Sequence, residues 1–173
     1  MDPFQRLAFK GLKFHIAKAI KESCNRTEVR VYNIANEVPN IVTFSLESGI
    51  EMEQDLAKII DKTIKSSIDV GCDLSVIAKG ILLGSFRSRP FVRHEAPTTI
   101  RMLMDEIFRH SLRYKGDTKQ VVEGILAAVV IIANEYKLNA KEAVVVARQD
   151  MVSSAKEIDS KFADEIQGLL TNL

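Results

Sequence analysis

The sequence predicts an all-α protein: a bundle of six or seven helices forming a single domain over residues 1–173. Three observations carry that expectation. Apolar residues recur at helical spacing, as in Leu56, Ile59, Ile60, Ile64 and Ile68 and again in Val122, Ile125, Leu126, Val129 and Val130. Steps of three and four put such residues on one side of a helix. Helix-start signals recur along the chain, and two stretches resemble each other at an offset of 66 residues, Gln54 falling opposite Gln120 and Asp73 opposite Asn139.

The elements follow in order. Asp2-Pro3 offers a cap and then a proline, whose missing N–H would find no partner in a first turn anyway, and opens a helix over about 3–24. Phe9, Leu12, Ile16, Ala19 and Ile20 form one stripe of it and Arg6, Lys10, Lys13 and Lys21 another, so this helix is amphipathic and basic. Residues 28–46 read two ways. Val29, Val31 and Ile41-Val42-Thr43 suit short extended pieces, whereas Val31, Ile34, Ala35 and Val38 suit a short helix ended by Pro39.

Ser48-Gly49-Ile50-Glu51 has the capping-box form, in which a short polar side chain and a reciprocal Glu or Gln satisfy first-turn amides, and it opens a helix over 50–70. Asp73 caps a second over 73–87. Pro90 stops helix and Pro97 restarts it over 97–115. Asp117-Thr118-Lys119-Gln120 and Asn139-Ala140-Lys141-Glu142 open helices over 117–136 and 139–171, the last with a break expected near Ser153-Ser154. The offset similarity groups these elements into two similar antiparallel helical hairpins, about 50–88 and 116–154.

Composition bounds the function. A hydrophobic share of 46% and a charged share of 27% suit a globular chain with its own core. The net charge of +1 excludes a uniformly basic nucleic-acid binder, but charge is unevenly spread. Residues 1–30 and 86–115 each carry seven Lys/Arg against three acids, whereas 31–85 carry four against eight. Such polarity can orient partners or copies of the chain. Cys24 and Cys72 are far apart and in no CxxC context, which suggests free thiols in a reducing compartment and hence a cytoplasmic location. No signal peptide is evident. The run Gly124–Ala133 is about half of what a bilayer-spanning helix needs, so no integral membrane segment is expected.

The candidate sites are few. His94-Glu95 with Glu106 and His110 is the best metal-like cluster, since Glu106 and His110 are four apart and share a helix face, although the Glu-x-x-His spacing of di-iron bundles is absent. The plainer reading is an exposed carboxylate–imidazole pair. There is no nucleophile elbow, catalytic triad or phosphate-cradling glycine loop, which makes an enzyme the minority reading, and no cofactor is expected. Gly80-x-x-x-Gly84 and Gly124-x-x-x-Ala128 are strips of small residues that let helices approach closely, within the bundle or between subunits.

The densest feature is residues 86–95, FRSRPFVRHE. Arg87, Arg89 and Arg93, with Arg101 beyond, have guanidinium forks suited to phosphate or carboxylate, and Lys10 and Lys13 add to a second basic segment over 6–21. The plainer reading leaves the arginines in water or paired with acids of residues 47–61 or of the last helix, with Phe86 and Phe91 anchoring the loop to the core. Taken together, the sequence favours a non-enzymatic helical interaction or assembly module that self-associates as a homo-oligomer, a dimer first. The alternatives are a nucleic-acid or other polyanion-binding protein using 6–21 and 87–101, and a metal-dependent helical enzyme.

Overall fold

A computed structural model of the chain describes residues 52–69, 71–87 and 96–173, without the side chains of 52–56, 59, 85, 87, 96, 97 and 99. The expected N-terminal helix, the ambiguous segment 28–46 and most of FRSRPFVRHE lie outside the described residues.

Six helices and no strand are found among the described residues: α1 (Met52–Asp69), α2 (Leu74–Arg87), α3 (Ala96–Arg113), α4 (Thr118–Glu135), α5 (Ala140–Ile158) and α6 (Ser160–Thr171). All-α is the fold class. Helix α2 lies at the centre. Leu74, Val76, Ile77, Ala78, Ile81, Leu82, Leu83 and Phe86 are all buried, which at helical spacing covers every side of it. Its neighbours are α1, α3 and, most extensively, α4. The aromatic core is pinned at two points, Phe86 edge-on to Tyr136 and Phe108 edge-on to Phe162, with ring centres 5.0 and 5.5 Å apart.

The α2–α4 contact depends on Gly124. A Cβ built there would collide with the Ser75 carbonyl oxygen and lie 2.9 Å from the Ser75 Cα, so the two backbones touch where any side chain would hold them apart. Ala128, one turn on, is fully buried, and Gly80 and Gly84 are buried on α2.

The helix ends share one device. The N–H of Cys72 bonds to the Ser67 carbonyl and that of Gly71 to Ile68; Gly116 to Ser111 and Lys115 to Leu112; Leu138 to Ala133 and Lys137 to Asn134. These are Schellman closures, each with a residue at positive φ: Gly71 at 70°, Lys115 at 56° and Lys137 at 55°. Two residues later comes an Asp or Asn cap. The Asp73, Asp117 and Asn139 side chains accept first-turn amides of α2, α4 and α5. One pair of helix starts matches at the expected offset, Leu74 to Ala140. Yet the α3–α4 turn, which lies outside that offset pairing, has the same construction, so turn chemistry by itself accounts for much of the likeness.

Four expectations are corrected. The last helix breaks at Asp159 and not near Ser153-Ser154, because Asp159 is extended (φ −162°) and its side chain caps α6, while Ser154 is buried inside α5. Gln120 does not complete a reciprocal capping box; its Oε1 accepts the Leu74 amide 2.9 Å away and so caps α2 from α4. Val130 is 37% exposed instead of joining the core stripe of Val122, Ile125 and Val129. Cys72 is disulfide-bonded, not a free thiol. The one other cysteine of the chain, Cys24, lies outside the described residues. With Cys72 oxidised, its thiol no longer supports a reducing, cytoplasmic setting. Among the described residues no helix is long and apolar enough to cross a membrane.

Candidate functional site

Three surface features gather side chains capable of chemistry or recognition. The first joins α1 to the end of α3. Asp61 accepts a hydrogen bond from the Tyr114 hydroxyl at 2.6 Å, and the same oxygen lies 3.0 Å from His110 Nδ1 and 3.7 Å from the Arg113 guanidinium. Glu106 approaches the other ring nitrogen, Nε2, at 3.3 Å. The Asp61 hydrogen bond pushes the Tyr114 phenol above its ordinary range, and burial adds to this. Arg113 and Lys65 lie 5.5 and 5.9 Å from the centre of the tyrosine ring.

This cluster fastens two helices and is poorly placed for catalysis. Both His110 nitrogens are buried, and neither is aligned with its carboxylate as a hydrogen bond. A general base must reach a substrate proton, and a nitrogen without accessible surface has no route to one. A shared metal ion would need ligands converging on a point. Here Asp61 and Glu106 approach different ring nitrogens, and among the described residues no group of three or more His, Cys, Asp or Glu could hold a metal ion. Of the proposed metal ligands, Glu106 and His110 are brought together, but His110 is mostly buried instead of forming the exposed pair expected. His94 and Glu95 lie outside the described residues.

The second feature joins α3 to α5. Arg101 donates to Glu157 at 2.7 Å, and Asp105 lies near Asp150 across the same contact. Burial raises the Asp150 carboxyl above its ordinary range; the Arg101 charge lowers it in part, and Asp105 raises it again. Arg101 thus already has an acid from the last stretch of helix as its partner. The Arg87 side chain, Arg89, Arg93, Lys10 and Lys13 lie outside the described residues, so Arg101 is the one proposed anion ligand whose surroundings are defined.

The third feature is apolar. Among the described residues the exposed large hydrophobics are Val130 (37%), Leu138 (37%), Val145 (54%), Val146 (40%) and Leu173 (49%). Four of these five belong to α4, α5 and the turn between them, so they are concentrated, whereas singly scattered apolar residues are ordinary. Glu142 and Gln149, one turn to either side of the valines on α5, are also exposed.

Sequence reasoning missed Asp61 and Tyr114, whose contact spans 53 residues and leaves no periodic trace. It also missed the α5 valines, although the signal was present. Ala143-Val144-Val145-Val146-Ala147 is five small or apolar residues in succession, more than one helix face can accommodate, so some had to point outward. Compared with known proteins, the chain matches no family model and no curated protein.

Proposed function

We propose that the chain is a non-enzymatic helical assembly module that associates with a second copy of itself, a dimer being the first form expected. One observation carries the reading: the exposed apolar set Val130, Leu138, Val145 and Val146 on consecutive elements. Removing such side chains from water is the main force behind association, and exposed aliphatic residues favour a protein partner over a polyanion. The charged residues of the α3–α5 contact support the same reading, since Arg101 and Glu157 satisfy each other.

Sedimentation or light scattering across a concentration series tests this. The expected result is a species of about twice the 19.4 kDa chain mass at high concentration. A strict monomer throughout would end the proposal.

A further inference from the structure

The outward stripe of α5 has a pattern that defines how a second copy fits. Glu142, Val145, Val146, Gln149 and Ser153 follow helical spacing, and all are exposed. The stripe is close to symmetric about the midpoint between Val145 and Val146: valines at the centre, then the Glu142 carboxylate on one side and the Gln149 amide on the other. Resting on the self-association just proposed, we infer that two copies pair α5 against α5 in antiparallel register, with the two-fold axis passing between Val145 and Val146.

In that register Val145 of each copy meets Val146 of the other. Each Glu142 carboxylate faces the Gln149 amide of the second copy, a donor for an acceptor at both ends of the contact. A parallel pairing would set Glu142 against Glu142, like charges face to face, and would align the two helix dipoles unfavourably. The stripe therefore complements itself in one direction only. An unrelated partner would have no need of that symmetry, which is why the second copy is the occupant.

The test uses the full chain and three surface variants, with circular dichroism to show that each retains its helix content. Dissociation constants come from sedimentation over about 1–200 µM, a range suited to a small interface. Val145→Asp should weaken association at least about tenfold, because it places a charge at the apolar centre. Gln149→Lys should tighten it about threefold or more, because the axis creates two opposite-charge pairs with Glu142, and Gln149→Glu should weaken it by a similar factor. If the wild type dimerises and Val145→Asp leaves it unchanged, the α5 surface is wrong while self-association stands. If Val145→Asp breaks the dimer but both Gln149 charges weaken it, the antiparallel register is wrong, since parallel helices would oppose like charges in either variant. A monomeric wild type overturns the inference together with the reading beneath it.

Discussion

Single residues set the closest tolerances in this molecule. Gly124 is the sharpest case, because the space its Cβ would need is filled by the backbone of Ser75. Alanine is the better helix former by about 1 kcal/mol, so propensity alone would make Gly124→Ala stabilising. The collision is with backbone that cannot swing aside, and overpacking should win: the expected outcome is a net loss of about 1–3 kcal/mol in denaturant unfolding. Asp150 is a milder conflict. Its raised pKa means that the folded state favours the protonated carboxyl, so the stabilising contribution is fully present below the ordinary value of 3.8 and is lost as pH rises through the higher folded value. Asp150→Asn should therefore raise Tm at pH 7 by no more than about 2 °C, the carboxyl being substantially screened. The gain should vanish as pH falls below the ordinary carboxylate range, which a pair of thermal melts would show.

At the scale of elements, the helix starts were legible and the stops less so. Asp73, Asp117 and Asn139 announce α2, α4 and α5 in the sequence because a short polar side chain is what a free first-turn amide needs. Lys115 and Lys137 announce nothing, because lysine is a poor marker of the left-handed conformation each adopts. At the equivalent position in the α1–α2 turn the residue is Gly71. Lys137→Gly should accordingly stabilise the protein by about 1 kcal/mol in chemical denaturation, through relief of strain at C′, with the Leu138–Ala133 closure retained. The break at Asp159 escaped because Ser153-Ser154 offers the same chemistry. Its burial, visible only in the packed molecule, shows that Ser154 continues a helix.

At the scale of the molecule, α2 is enclosed by α1, α3 and α4, and among the described residues the exposed large hydrophobics fall chiefly on α4, α5 and the turn between them. If valines carry self-association, the dissociation constant should change less than about threefold between low and high NaCl, because Debye screening acts on charges and not on buried methyl groups. A steep loss with salt in the same sedimentation series would point instead to an electrostatic interface. The Asp61 cluster belongs to this scale as well. It ties α1 to α3 across 53 residues of chain, a pairing that only the completed packing creates.

The sequence by itself determined the all-α fold class, where α2, α4 and α5 begin, and which residues supply the apolar stripes, since capping and helical periodicity are local properties of neighbouring residues. Tertiary structure alone decided which side of each stripe is covered. It left Val130, Val145 and Val146 in the open, brought Asp61 against His110 and Tyr114, paired Arg101 with Glu157, and closed α2 onto α4 at Gly124. The physical reason is that burial and ion pairing depend on how helices distant in sequence cross, and no local pattern encodes that geometry.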